Sequence, residues 1–137
     1  VSNKLCRRAI ETSLAAWAAA RTPVLPIAWE NVPFTQPSGP YLRAFLLPAM
    51  TTSADLAGAH RSYRGVYQIS VYSPINAGAG AAEAIADELA ALVPLNTRLT
   101  VPGLTLQVMT PVTSAQGAQD ATNFVVPVSF QYRADTI

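Results

Sequence analysis

The sequence predicts an α+β fold, a mostly antiparallel β-sheet with two α-helices packed on one face, in the order α-β-β-β-α-β-β-β. Apolar residues recur at helical spacing in two stretches, residues 3–20 and the run that follows Gly80. Between and after them lie runs that alternate with period two, clearest from Phe124 to Arg133, separated by clusters of proline and glycine. At 137 residues the chain is long enough for one domain, residues 1–137, with a sizeable core, and too short for two comfortable ones.

The first helix is expected over residues 3–20, because Cys6, Ala9, Ile10, Ser13, Leu14, Trp17 and Ala20 share a face and Ser2 or Asn3 can cap it. Its other side is charged early, through Arg7, Arg8 and Glu11, and then bare, through Ala15, Ala18 and Ala19. Helix propensity alone accounts for such alanines; burial against a neighbouring subunit is the sharper alternative. Arg21-Thr22-Pro23 ends the helix. A first short strand is expected over Val24 to Glu30, with Pro26 confining it to an edge or to its own beginning. Asn31 to Pro40 holds three prolines and a glycine and reads as a loop. From Tyr41 to Met50, Leu42, Ala44 and Leu46 alternate with Tyr41, Arg43, Phe45 and Leu47, a second strand whose pairing Pro48 limits. Residues 51–63 lack any period, and an unstructured stretch of that length between strands is uncommon unless it has a task. It is expected to form the tip of a long hairpin, with plain disorder as the competing reading.

The stretch from Arg64 to Val93 is the centre of the chain. From Gly65 to Tyr72, Tyr67, Ile69 and Val71 face one way and Val66, Gln68, Ser70 and Tyr72 the other, as in a strand covered on at least part of both faces. After Pro74 and the Gly78 to Gly80 loop, Ala82, Ile85, Ala86, Leu89, Leu92 and Val93 make one helical stripe. Glu83 and Asp87 stand off that stripe near the amino end, where negative charge complements the helix dipole. Pro94 stops the helix. Thr97 to Val101 and Leu104 to Val112 read as strands around the turn Pro102-Gly103, and residues 113–122 as a polar loop. In the last strand Phe124, Val126, Val128, Phe130 and Tyr132 alternate with Val125, Pro127, Ser129, Gln131 and Arg133, and Pro127 points to an edge position or a bulge.

No residue cluster demands catalysis. Gly78-Ala79-Gly80 follows a strand and precedes a helix, but the third small position of a dinucleotide fingerprint falls on Glu83, and no Gly-Lys-Ser/Thr follows. Two glycines there simply let the chain turn. His60 is the only histidine, which excludes a His-based metal cluster, and it reads as a solvated side chain beside Arg61. The single Cys6 excludes an internal disulfide and a cysteine metal site. The carboxylates are scattered; Glu83 and Asp87, one turn apart, are explained as an exposed helix edge. The expectation is therefore no enzyme, no cofactor and no metal. No apolar run reaches membrane-span length and the amino end does not resemble a secretory signal, so a reducing cytoplasm and no membrane partner are expected.

Half of the residues are apolar and only 12% are charged, against roughly 25% in ordinary soluble domains. So few charges point to surface covered by another subunit, the alternative being an alanine-rich monomer. Eight of the nine basic residues are Arg, which suits interfaces because the guanidinium is planar and weakly hydrated, although codon usage explains it equally. A net charge of +1 without a basic run excludes a dedicated nucleic-acid reader.

An amino-terminal helix containing Trp17, then PIAWENVPF (Pro26 to Phe34), YLRAFLLP (Tyr41 to Pro48), RGVYQISVY (Arg64 to Tyr72) and the Gly78 to Leu92 helix resemble the tail terminator proteins of long-tailed bacteriophages and related prophages. The resemblance covers the first two thirds of the chain, PIAWENVPF being its most specific part, while the later strands agree in type. It implies a structural virion protein of the tail, assembled in the host cytoplasm as a homo-oligomer, a hexameric ring. Such a ring caps the tail tube protein, stops its polymerisation and offers a surface to the head-tail connector protein. DNA passes through the lumen without sequence-specific binding. On this reading the loop from Ala54 to Tyr63, with Asp55, Leu56, His60 and Arg61, touches the tube or borders the lumen, and Ala15, Ala18, Ala19, Arg43 and Arg64 lie between subunits. A head-side connector or tail-completion protein of related fold is the alternative among virion proteins, and a small monomeric enzyme or ligand-binding domain the alternative from another class.

Overall fold

The computed structural model describes residues 3–21, 24–75, 78–119 and 123–136. Ser2 as a cap and Thr22-Pro23 as a helix stop lie outside them. Helices α1 (Asn3–Ala20) and α2 (Gly80–Leu92) accompany strands β1 (Ile27–Ala28), β2 (Tyr41–Pro48), β3 (Arg61–Pro74), β4 (Arg98–Val101), β5 (Leu104–Val108), β6 (Thr113–Ser114), β7 (Ala118–Gln119) and β8 (Asn123–Thr136). They form one mostly antiparallel sheet in the order β1-β2-β3-β8-β5-β4, with β6 and β7 also on β8. Its spine is the pairing of β3 with β8, in register from Arg61 opposite Thr136 to Pro74 opposite Asn123. The expected α+β architecture is present, with β6 and β7 as additions.

Period-two alternation puts the core on one face. Leu42, Ala44 and Leu46 of β2, Tyr67, Ile69 and Val71 of β3, Leu104, Leu106 and Val108 of β5, and Val126, Val128, Phe130, Tyr132 and Ala134 of β8 are all buried in one cluster. Both helices lie on that face. α2 contributes Ala82, Ile85, Ala86 and Leu89, as its stripe foretells. α1 contributes Cys6, Ala9, Ile10, Leu14 and Ala18, and here the structure departs from the expected stripe. Cys6, Ile10, Leu14 and Ala18 are successive steps of four, a row inclined to the helix axis by about 26°, so the buried stripe winds around α1. With that winding Ala18 turns inward and Ala20 outward. Leu25, itself buried, closes over this end by donating its N–H to the Ala18 carbonyl at 3.3 Å.

Three further expectations are corrected. Residues 113–122 are not simply a loop, since β6 and β7 both add to β8, with Thr113 opposite Ser129 and Gln119 opposite Phe124; Asp120 lies outside the described residues. Pro127 does not mark an edge, because β8 is interior. Its carbonyl accepts from Ala115 N–H at 2.9 Å, so its nitrogen faces the same side, at the interruption between β6 and β7 where no ladder donor is required. Val24 to Glu30 shrinks to Ile27–Ala28, which pairs with β2 in parallel at the sheet edge, as Pro26 suggested. Gly65 is a close-approach position. A Cβ there would stand 2.6 Å from the Leu47 carbonyl and 2.7 Å from the Tyr132 hydroxyl.

Candidate assembly surface

The hairpin of β2 and β3 carries an ordered tip. Thr52 and Ser62 exchange backbone hydrogen bonds of 3.1 and 2.7 Å, which continues the ladder beyond β2 and overturns the disorder reading. Beyond that bridge the chain is held by the Asp55 carboxylate and the His60 ring. Asp55 accepts from His60 N–H at 3.1 Å and from the Ser53 hydroxyl at 3.4 Å. Desolvation raises its carboxyl pKa, but the N–H groups of His60, Gly58 and Ala59 outweigh it and leave it below the ordinary value. The His60 Nδ1 accepts from Ala54 N–H at 3.0 Å. Its Nε2 lies 3.3 Å from Asp135 Oδ1 at the end of β8. Arg61 donates to the carbonyls of Gly58 and His60. At the outside of this frame Leu56 is fully exposed and Met50 is 80% exposed.

The edge beside β1 is closed by a side chain. Glu30 Oε1 accepts from the backbone N–H of Leu46 at 2.6 Å and from Arg7 Nη1 at 2.8 Å. One carboxylate thus ties α1 to β2 and occupies a donor that an edge strand would otherwise offer to another chain. Burial raises its pKa, but the Leu46 N–H and the Arg7 guanidinium prevail and hold it below the ordinary value. Glu11, 3.9 Å from the same guanidinium, is instead raised, because its burial outweighs an Arg7 already engaged by Glu30.

The face away from the helices is open. At one end Phe34 from the proline loop packs on Tyr41, with ring centres 5.4 Å apart, and Tyr41 stacks on Tyr72 at 4.7 Å. Arg43 lies over both tyrosines, 5.8 and 5.7 Å from their centres, and opens into a hollow of about 600 Å³ lined by Trp29 to Pro33 and Phe45. At the other end, nearer the hairpin tip, Leu47 and Met109 are 49% and 40% exposed and Arg64 stands directly opposite Arg133.

The residues named from sequence fall in separate places. Asp55, Leu56, His60 and Arg61 come together in the hairpin tip. Arg43 and Arg64 share the open face at different ends. Ala15 and Ala19 are exposed on α1, but Ala18 is 2% exposed in the core and unavailable to another subunit. Sequence reasoning missed the Arg7–Glu30 clamp, whose partners lie 23 residues apart, and placed Glu30 only as the last residue of the first strand. Cys6 is inert, its thiol pushed up to about 11 by burial. Among the described residues no group of His, Cys, Asp and Glu could hold a metal ion, and no helix is long and apolar enough to cross a membrane.

Comparison with known proteins gives a consistent result. A family model described as phage tail terminator protein matches residues 6–132, which extends the likeness through the carboxyl-terminal strands. One solved structure is 45% identical in sequence, covers 100% of this chain and 98% of its own, and superposes with a TM-score of 0.86. No curated protein matches the chain.

Proposed function

This chain belongs to the phage tail terminator family, structural proteins of the virion tail, and we propose that it works there as a closed ring that caps the tail tube. Copies join head to tail through one heterologous contact, which closes when the rotation between neighbours allows it; the family resemblance implies six. One face of the ring matches the growing tube and the opposite face does not repeat it, so polymerisation stops and a distinct surface meets the head connector. The ring assembles in the host cytoplasm, and DNA passes through its opening unread.

The observation that carries this reading, beside family membership, is the hairpin tip. It is fixed by its own hydrogen bonds, yet it holds Leu56 wholly in solvent. An ordered, projecting apolar side chain suits a docking element, since a folding role would bury it. The test adds purified protein to polymerising tube protein and images the products by electron microscopy. Rings at tube ends and halted growth are expected, together with loss of both when residues 54–59 are replaced by a short glycine linker. Tubes that lengthen unchanged would overturn the reading, and rings bound only to the head side would make the protein a connector.

A further inference from the structure

We propose that the contact between neighbouring copies is made by a row of arginines on the open sheet face, which receives the acidic outer side of α2 from the next copy. This rests on the ring reading and names the surfaces that would close the ring. The row is created by strand register and is invisible in the linear sequence. Arg64 of β3 stands opposite Arg133 of β8, Arg133 opposite Gln107 of β5, and Gln107 opposite Arg98 of β4. With strands about 4.8 Å apart, the line spans roughly 14 Å of the open face.

Among the described residues only Arg133 of these cations is neutralised. Arg133 Nε and Nη2 hold Asp135 at 2.8 and 3.3 Å. Among the described residues Arg64 reaches the Ser62 hydroxyl, at 3.4 Å, and neither Arg64 nor Arg98 meets a carboxylate at ion-pair distance. Like charges set directly opposite each other on neighbouring strands destabilise a sheet, so folding gains nothing from Arg64 facing Arg133. The surroundings are receptive. A hollow of about 370 Å³ runs between Arg64, Val66, Met109 and Arg133, and a smaller one of about 190 Å³ adjoins Arg98 and Gln107.

The matching surplus of negative charge is on α2. Glu11 and Glu30 are engaged by Arg7, Glu88 by Arg21, Asp135 by Arg133 and Asp55 by backbone N–H groups. Among the described residues that leaves Glu83 and Asp87, both exposed and four apart, where like charges repel. Around them the exposed side of α2 offers only Ala81, Ala84 and Ala91, so a partner can approach its backbone closely. Two uncompensated anions therefore lie on the helix side of the sheet, and on the open side Arg64 and Arg98 of the row, like Arg43 at the other end, meet no carboxylate at ion-pair distance among the described residues. They cannot meet within one molecule. They can meet when the helix side of one copy lies against the open side of the next, a contact between two different patches, which is the kind that closes a ring.

The test is a charge exchange followed by sedimentation velocity and native mass measurement. One variant carries Arg64→Glu with Arg98→Glu, the other Glu83→Lys with Asp87→Lys; all four positions are exposed, and melting curves verify that both variants fold. Each variant alone should associate on the order of 100-fold or more weakly than the unaltered protein. An equimolar mixture should restore rings in which the two chains alternate. Association of either variant at unaltered strength, or a folded mixture that stays dissociated, would overturn the proposal while leaving the ring reading intact. Short duplex DNA that binds the unaltered protein but not the arginine variant, with rings unaffected, would assign the row to nucleic acid and equally overturn it. An unaltered protein that remains monomeric even beside tube protein would remove the ring reading and this contact with it.

Discussion

The helix-covered face and the open face of the sheet are built from alternate residues of the same strands, yet among the described residues the helices seal only the covered one. On the covered face Leu42, Tyr67, Val71, Leu106 and Val108 are wholly buried and α1 and α2 seal them. On the open face the proline loop covers one end, through Phe34 and Tyr41, and the other end keeps Leu47, Met109, Arg64 and Arg98 in solvent. The covered face holds the fold together, and the open face leaves charge and apolar surface in solvent. Substitutions on the first should therefore act on stability, and substitutions on the second on association.

The largest expected effect breaks the covered face. Ala18→Glu places a carboxylate at a position that is 2% exposed and should cost at least about 3 kcal/mol, a loss of folded protein visible in thermal melting. Ala15→Glu, three residues earlier on the exposed side, should stay within about 0.5 kcal/mol of the unaltered protein. Equal melting of the two would refute the burial of Ala18.

Next comes Gly65→Ala. Its methyl group would meet the Leu47 carbonyl at 2.6 Å, and a loss of about 1–3 kcal/mol in denaturant unfolding is expected from overpacking. Glu30→Gln should cost about 1–2 kcal/mol by weakening the clamp on Leu46 and Arg7, and it carries a pH signature. The Glu30 pKa is lowered in the folded protein from its ordinary 4.5, so its contribution is fully present above that value and is lost as pH falls through the lower folded value. The Gln variant should show a shallower decline of stability below pH 4.5; an identical pH profile would contradict the clamp. The smallest global effect belongs to His60→Ala, under about 1 kcal/mol, with faster amide exchange confined to residues around Ala54 and unchanged exchange in β8. Spread of the faster exchange into the core would show that the tip is not an independent unit.

The covered face was legible in the sequence because burial there follows period: the alternation of Phe124 to Tyr132 and the stripe Ala82 to Val93 both mark buried sides. Ala18 escaped because the buried stripe of α1 follows a row of four-residue steps that winds around the helix, and how far it winds is set by the partner surface. Pro127 misled because a proline is tolerated inside a sheet wherever the neighbouring strand is interrupted, and the interruption between β6 and β7 is a property of the pairing. The hairpin was anticipated, but its tip looked shapeless because side chains hold it, His60 to Asp135 across distant sequence. The arginine row could not be seen at all, since Arg64, Arg98 and Arg133 become neighbours only through register.

The division between a folding face and an associating face is tested most directly by sedimentation velocity of the unaltered protein across concentration and salt, with circular dichroism recorded on the same samples. A ring-sized species at low salt that dissociates to a fully folded single chain as salt rises is the expected result, because exposed charge pairs are screened while the core is not. A protein that stays single at every condition, or an assembly that comes apart only when the chain unfolds, would contradict the account.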